Sequence, residues 1–238
     1  TTVKIAYFDE TGNMLDKWEI PTVTDDGGSQ ILPDIAASIA QYRTVKGIAE
    51  ADLLGIGIGV PGPVDSKGNI NRCVNLGWGV FNITKTLSDL TGLPVAAGND
   101  ANVAALGEFW KGGGKGCRNM VFVTLGTGVG GGIIVDGKIV TGAHGAGGEI
   151  GHACVEPEET ESCNCGNKGC LEQLASATGI VRIGKKIMAE NTAETKLTLD
   201  DFSAKTIFDA YKEGDGVAKQ IVDKFAGYLG TALAIFSC

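Results

Sequence analysis

The chain has 238 residues, of which 43% are hydrophobic and 20% are charged, and its formal net charge is −8. These values are typical of a soluble globular protein with one large domain or two small ones. The acidic balance argues against nucleic acid as the main partner, and no apolar run approaches the ~18 residues of a membrane span. The cysteines, without a secretory signal, indicate reduced thiols, so we expect a cytoplasmic protein with no membrane partner.

The first half of the chain predicts a β-hairpin followed by alternating helices and strands. The hairpin strands are expected at 3–8 and 14–20. Ser29 is predicted to cap a helix that ends near Gly47. The patterns that follow predict a strand at 53–60, a helix from Asn82 or Thr84 to Gly92, a strand at 94–97 and a helix at 101–111.

The second half predicts strands at 120–125 and 133–135, and then helices at 177–190, 204–212 and 217–236. A hairpin followed by alternating strands and helices indicates an α/β protein. A change of composition near Gly98 predicts two domains, 1–98 and 99–238. The chain opens directly on a strand pattern and stops inside an apolar helical pattern. We therefore expect a fragment that lacks material at both ends.

The segment 142–172 combines His152 with three closely spaced cysteines, Cys163, Cys165 and Cys170. One histidine and three cysteines match a closed tetrahedral zinc site of the structural kind, and thiolates with imidazole favour zinc over calcium or magnesium. A disulfide pair and free cysteines in a glycine-rich loop are the alternatives. Cys154 is interpreted as a packed thiol and not as a fifth ligand.

Two glutamates flank this cysteine-rich segment, Glu149 before His152 and Glu172 after the last cysteine. A metal-bound imidazole keeps a second nitrogen that carries a proton, so His152 can donate a hydrogen bond to a ligand. Two carboxylates and one N–H donor on a rigid loop suit a neutral, polyhydroxylated ligand. The segment therefore predicts a sugar site.

A glycine-rich stretch, LGTGVGGG at 125–132, joins two predicted strands. Successive glycines let backbone N–H groups converge on an anion, which suits phosphate. No Gly-Lys-Ser/Thr follows, so the stretch is not a P-loop. The alternative is a glycine-rich hairpin that binds no ligand.

The motif GNDAN at 98–102 lies where a predicted strand ends and a helix begins, and ligands collect at such points in α/β sheets. One interpretation makes Asp100 a general base for a substrate hydroxyl, with Asn99 holding a neighbouring hydroxyl. The other makes Asp100 the N-cap of the helix.

Taken together, the motifs of this chain resemble the ROK family of bacterial sugar kinases and sugar-responsive repressors, with the greatest likeness to its glucokinases. In chain order the motifs are VPGPVD (60–65), NLGW (75–78), GNDAN (98–102), LGTGVGGG (125–132), GGEIGH (147–152) and CNCGNKGCLE (163–172). The resemblance covers essentially the whole chain. It implies a two-domain, actin-like ATPase (ribonuclease H-like) sugar kinase fold, truncated at both ends.

The resemblance also implies that glucose is phosphorylated by ATP at its 6-hydroxyl, with Mg²⁺ and a structural Zn²⁺ as further cofactors. Asp100 would be the catalytic base, and the sugar would bind Asn99, Glu149, His152 and Glu172. Zinc would bind His152, Cys163, Cys165 and Cys170. The phosphates of ATP would contact Gly126, Thr127, Gly128, Gly130 and Gly131.

One departure concerns the family's first phosphate motif, Asp-x-Gly-Gly-Thr, of which only the end is present, at Thr1 and Thr2. These two threonines are the expected remnant of that ATP contact, and the missing aspartate would help to hold Mg²⁺. A homodimer, or a higher homo-oligomer, is expected from the resemblance alone. A kinase for another hexose, such as fructose or N-acetylmannosamine, and a sugar-responsive repressor remain open.

Overall fold

The computed structural model describes residues 2–237, with the side chain of Val74 excepted. Within these residues the chain forms two compact units. Unit 1 holds the residues up to 117 together with 139–147, and unit 2 holds 118–138 and the residues from 148 onward. None of the described helices is both long enough and apolar enough to span a membrane.

Unit 1 contains the hairpin and the first helices of the chain. In order its elements are β1 (Thr2–Phe8), β2 (Met14–Pro21), α1 (Asp25–Gly28), α2 (Ile31–Lys46), a 3₁₀ turn (Glu50–Asp52), β3 (Ile56–Val60), β4 (Asn69–Ile70), a 3₁₀ turn (Val74–Leu76), β5 (Phe81–Asn82), α3 (Ile83–Thr91), β6 (Val95–Asn99) and α4 (Asp100–Lys111). The predicted hairpin is confirmed, since β1 and β2 pair antiparallel.

Strands β3 and β6 form a parallel pair in which Val60 lies opposite Asn99. The carboxyl ends of parallel strands meet at the same edge, so the GNDAN motif starts beside the loop that follows β3. Helix α4 packs against both strands. For this reason the predicted boundary after residue 98 falls inside unit 1, and separate folding of 1–98 and 99–238 stays a prediction.

Helix ends in unit 1 follow their capping chemistry in two places and depart from it in one. Helix α3 begins after Asn82, whose side chain accepts the N–H of Lys85, and it ends at Gly92 in the left-handed conformation. The predicted cap at Ser29 is wrong. Because the α1 turn immediately precedes it, Ser29 already has helical dihedral angles, and its hydroxyl donates to Asp26. Gln30 occupies the N-cap position without a side-chain bond.

Two strand boundaries also differ from the prediction. Strand β3 begins at Ile56 and not at residue 53, because Leu53 closes the preceding 3₁₀ turn with a hydrogen bond to Glu50. Strand β6 runs to Asn99 and not to residue 97, because its pairing with β3 continues to Val60. The second difference places Asn99 on the strand and makes Asp100 the first helical residue.

The core of unit 1 lies between helices α2 and α3 and the strands. Its buried residues are Ile31, Leu32, Ile35, Val60, Val64, Ile70, Cys73, Trp78, Ile83 and Leu87. On the hairpin side, Trp18 stacks on Tyr42 with the ring centroids 4.1 Å apart, and it donates a hydrogen bond to Ser38. These contacts fasten β2 to α2.

Unit 2 contains a three-stranded sheet, in which β7 and β8 pair antiparallel, and the helices of the second half. Its elements are β7 (Met120–Leu125), β8 (Val129–Val135), β9 (Lys138–Ile139, the last residue belonging to unit 1), a 3₁₀ turn (Ile150–His152), α5 (Leu171–Ala175), α6 (Ala177–Glu190), a 3₁₀ turn (Leu199–Asp201), α7 (Ala204–Lys212) and α8 (Gly216–Phe236). The predicted helices at 177–190 and 204–212 are confirmed to the residue.

Strand β8 begins at Val129, whereas the sequence predicted a strand only from 133. The run Gly130–Gly132 pairs with β7 opposite Thr124 to Phe122. Glycine is needed here because Ile150 packs over the strand, and a Cβ on Gly131 would overlap its side chain. The side chain that covers this part of the strand therefore comes from a different segment.

The core of unit 2 lies among α6, α7 and α8, with a second cluster beneath β8. The first comprises Leu174, Ile180, Ile183, Leu197, Ile207, Ala210, Val217, Ala218, Ile221 and Val222. The second comprises Val129, Leu171, Ala175 and Ala232. Helix α5 is only five residues long, and it is held by burial against both β8 and α8.

Candidate functional site

Four side chains of unit 2 converge on one point, namely those of His152, Cys163, Cys165 and Cys170. Their possible ligand atoms all lie within 4.8 Å of one another. The Sγ atoms of Cys165 and Cys170 are 3.6 Å apart, and Cys163 Sγ lies 4.0 Å from His152 Nδ1. The structure thus brings together all four predicted ligands in an arrangement that could hold a metal ion.

Burial shapes the chemistry of these four residues, which are called the metal cluster below because they could hold an ion. Cys163 and Cys170 are buried and Cys165 is exposed. Burial first, and then the neighbouring thiols, raise the pKa of Cys170 to about 12. A buried thiol this close to two others, as Cys170 is, resists ionisation unless a cation compensates its charge. Cys154 lies outside the cluster and is exposed, so its interpretation as a packed thiol is wrong.

The metal cluster is supported by a hydrogen-bond network that the sequence analysis missed. Gln173 accepts the N–H of Cys170 at 3.1 Å and donates to the carbonyl of Glu161. Arg182 donates to the carbonyl of Gln173 and to the carboxylates of Glu159 and Glu161, the last two at 2.7 and 2.9 Å. The pKa of Glu159 falls to about 2, chiefly because of its hydrogen bond from Arg182.

A signal for this network was present in the sequence. The run EPEETE at 156–161 concentrates four carboxylates in six residues, and Arg182 with Lys186 places two cations one turn apart on α6. An acidic run of that density requires cations nearby if it is to be ordered. The network holds the segment between the metal ligands against helix α6.

Glu149 and Glu172 flank the four residues of the metal cluster along the chain of unit 2. Glu149 is exposed and precedes the 3₁₀ turn that ends at His152, whose N–H donates to the Glu149 carbonyl. Glu172 is in the first turn of α5, two residues after the predicted metal ligand Cys170. The nitrogen of His152 that faces Cys163 is Nδ1, which leaves Nε2 for another partner.

The glycine-rich loop contacts the same part of unit 2. Glu172 Oε2 accepts the N–H of Val129 at 3.1 Å, and a Cβ on Gly128 would overlap that carboxylate. A Cβ on Gly151 would likewise overlap the carbonyl of Val129. The predicted phosphate loop and the predicted sugar residues are therefore in direct contact.

In unit 1, the GNDAN motif presents an exposed carboxylate at the start of α4. Asn99 is the N-cap, and its Oδ1 accepts the N–H of Ala101 at 2.9 Å and of Asn102 at 3.2 Å. The interpretation of Asp100 as the N-cap is therefore wrong. Asp100 is exposed, and its carboxylate accepts the N–H of the adjacent Ala101 at 2.8 Å.

Two further contacts fix this region of unit 1. Asn99 Nδ2 lies 3.5 Å from the carbonyl of Gly62, in the loop after β3, so the same side chain spans the edge of the parallel pair. Asn102 is buried, and its Nδ2 donates to the carbonyl of Gly147 at 3.4 Å. Asn102 thereby holds the chain just before the GGEIGH motif continues into unit 2.

The two threonines of the first phosphate motif receive no further support. Thr1 lies outside the described residues. Thr2 begins β1, and its hydroxyl donates to the carboxylate of Glu19 at 2.7 Å. Because that hydroxyl is already engaged with an anion, a phosphate contact by Thr2 stays a prediction.

The chain belongs to the ROK family, which it matches over residues 1–237. It is 46% identical to the glucokinase of Halalkalibacterium halodurans, across 98% of this chain and 72% of that protein. The ROK family glucokinase from Streptomyces griseus, solved in complex with glucose and AMPPNP, has a TM-score of 0.74 and 33% identity, covering 100% of this chain and 76% of that one. For the ROK hexokinase of Thermus thermophilus the TM-score is 0.78 at 30% identity, covering 99% of this chain and 74% of that one. The fold is thus the actin-like fold of ROK sugar kinases, as the sequence predicted.

Proposed function

We propose that the protein is an ATP-dependent hexose kinase that phosphorylates glucose at the 6-hydroxyl. The observation that carries the proposal is the division of work in the GNDAN motif. Asn99 satisfies the start of α4, and the exposed carboxylate of Asp100 is left to accept a proton. The similarity to ROK glucokinases along nearly the whole chain supports glucose as the sugar.

In the proposed reaction, Asp100 takes the proton of the sugar hydroxyl as its oxygen attacks the γ-phosphorus, and ADP leaves with the bonding electrons. Asn99 has its Oδ1 engaged in capping, so it would bind the sugar as an N–H donor. Glu172 has one carboxylate oxygen on Val129, which leaves Oε1 for a sugar hydroxyl. Glu149 and the Nε2–H of His152 complete the sugar ligands.

The metal cluster fits zinc in a structural role. Zinc–thiolate bonds of ~2.3 Å place the sulfurs of a tetrahedral site about 3.8 Å apart. The Cys165–Cys170 separation of 3.6 Å agrees with that geometry. Four protein ligands leave no position for substrate, so the ion would fix His152 and would not take part in the reaction.

The phosphates of ATP would be bound by the glycine-rich loop, through Gly126, Thr127, Gly128, Gly130 and Gly131. Mg²⁺, when bound with ATP, would neutralise charge on the phosphates.

We also propose a cytoplasmic homodimer. Its oligomeric state would be read from sedimentation of the purified protein.

The test is a coupled assay of ADP release from the intact protein, run with glucose, fructose, mannose and N-acetylmannosamine. We expect kcat/KM to be highest for glucose and the product to be glucose 6-phosphate. A clear preference for another hexose would reassign the substrate within the same reaction. Sugar binding with no ADP release above background from any hexose would contradict the kinase proposal and favour a sugar-responsive binding protein.

A further inference from the structure

Two consecutive carbonyls of the glycine-rich loop, those of Gly126 and Thr127, accept hydrogen bonds from the start of helix α6. The N–H of Ala177 donates to the carbonyl of Gly126 at 2.8 Å. The hydroxyl of Thr178 donates to the carbonyl of Thr127 at 2.7 Å. Two consecutive peptide groups of the loop therefore turn their oxygens towards α6.

A fully buried serine, Ser176, lies next to Thr178. Ser176 caps helix α6, and its Oγ accepts the N–H of Gly179 at 2.9 Å. Ser176 Oγ also lies 2.9 Å from Thr178 Oγ1. Because the Thr178 hydroxyl donates its proton to the Thr127 carbonyl, the Ser176 hydroxyl must be the donor to Thr178 Oγ1. The helix cap and the loop carbonyl are thus joined by a chain of hydrogen bonds, and such chains reinforce each member.

The orientation of the carbonyls decides where the loop N–H groups point. In a planar trans peptide the C=O and the following N–H point in opposite directions. The N–H groups of Thr127 and Gly128 therefore face away from α6. Within residues 2–237 neither donates to a protein acceptor, whereas the N–H of Gly126 donates to Gly128 and that of Val129 to Glu172. Two adjacent N–H groups that point the same way form an anion-binding nest.

We infer that Thr178 is a positioning residue of the nucleotide site. Its hydroxyl holds the Thr127 carbonyl so that the N–H groups of Thr127 and Gly128 are presented to a phosphate of ATP. The inference rests on the proposed function and adds to it the two N–H donors and the side chain that orients them. Thr178 follows the short helix α5, so the loop is fastened at a point six residues after Glu172.

The experiment compares Thr178→Val, which removes the hydroxyl at nearly constant shape, with Thr178→Ser, which keeps it. Thr231→Val is the matched control, because the Thr231 hydroxyl also donates to a backbone carbonyl of unit 2, that of Gly227 in α8. Each variant is measured for the KM of ATP, for kcat and for the Kd of glucose. The backbone amide resonances of Thr127 and Gly128 are recorded without nucleotide.

For Thr178→Val we expect the KM of ATP to rise about tenfold, as for the loss of one hydrogen bond, with the Kd of glucose unchanged. The amide resonances of Thr127 and Gly128 should shift before any nucleotide is added. Thr178→Ser should restore both readouts, and Thr231→Val should alter neither. If the valine variant does not fold, Thr178→Ala provides the same readouts.

Three results would overturn the inference. One is an unchanged KM of ATP in Thr178→Val. Another is a raised KM with unshifted amide resonances, because Thr178 would then touch the nucleotide directly. The third is a serine variant that behaves like valine. Failure of the proposed function is distinguishable, since the wild-type protein would then release no ADP while the amide resonances would still report whether Thr178 orients the loop.

Discussion

Adjacent residues at the start of α4 have different tasks. Asn99 has extended dihedral angles and caps the helix, whereas Asp100 is the first helical residue. The sequence identified both as site residues but left open whether Asp100 was a cap or a base. That choice depends on where β6 ends, and the pairing of Asn99 with Val60 on a distant strand decides it. Local sequence cannot supply such a long-range contact.

Asp215 caps helix α8 and is the clearest residue-scale test of stability. Its buried carboxylate accepts the N–H groups of Val217 and Ala218, the N–H of Lys196 and the hydroxyl of Thr195. Burial would raise its pKa, but the hydrogen bonds from Ala218 and Lys196, with the others, outweigh this effect and lower it.

We expect Asp215→Asn to lower the free energy of unfolding by about 2 kcal/mol at pH 7, because the amide cannot accept at all of these donors. A lowered pKa in the folded protein means that the stabilisation is complete above the unfolded value of ~3.9 and is lost as the pH falls through the folded value. Urea unfolding should therefore show a wild-type advantage that holds from pH 7 to pH 5 and shrinks below about pH 4.

The matched control for this prediction is Asp200→Asn, at an exposed aspartate of unit 2. It should change the stability little at any pH. An advantage of the wild type over Asp215→Asn that grew as the pH fell below 4 would contradict the assignment.

At the scale of elements, helix α5 links the metal cluster to the predicted sugar residue Glu172 and to the glycine-rich loop. It begins after Cys170 of the cluster, carries Glu172 in its first turn and is buried against β8 and α8. Loss of the metal should then disturb Glu172 as well as His152. A metal-bearing loop that merely staples a remote part of the surface would have no such effect.

Cys165→Ser tests this link, with Cys154→Ser as the control at a second exposed cysteine that lies outside the cluster. We expect Cys165→Ser to lower the zinc content well below one ion per chain. It should also weaken glucose binding by about 10–100-fold, since losing a residue that orients a ligand group typically has that effect. Cys154→Ser should keep both zinc and glucose affinity.

The measurements are elemental analysis and calorimetry with glucose on protein shown to be folded by circular dichroism. A folded, zinc-depleted Cys165→Ser protein with wild-type glucose affinity would contradict the link between the metal and the sugar residues.

Elements with clear local sequence signals could be predicted, and elements without such signals could not. Helices α6 and α7 each have one apolar and one polar face, and each has a serine at its N-cap. Their bounds were therefore predictable. The first half of β8 was not predictable, because its glycines carry no side-chain pattern and the strand is covered by Ile150. The network around Arg182 depends on tertiary contacts between α6 and an acidic segment some twenty residues away.

For the whole molecule, the family and the reaction class could be predicted from motifs spread along the chain. The division into units could not, because a change of composition near Gly98 does not reveal that α4 packs back on β3 and β6. The proposed activity uses Asp100 as the base and Glu149, His152 and Glu172 as sugar ligands.

The most direct measurement of that account is glucose phosphorylation by Asp100→Asn, with Asp89→Asn as the control at another exposed aspartate of unit 1. An asparagine can still hydrogen-bond the sugar hydroxyl but cannot take its proton. We predict that kcat falls by about two to four orders of magnitude, that the Kd of glucose changes less than about threefold, and that the control keeps wild-type turnover. A folded Asp100→Asn protein with wild-type kcat would contradict the account.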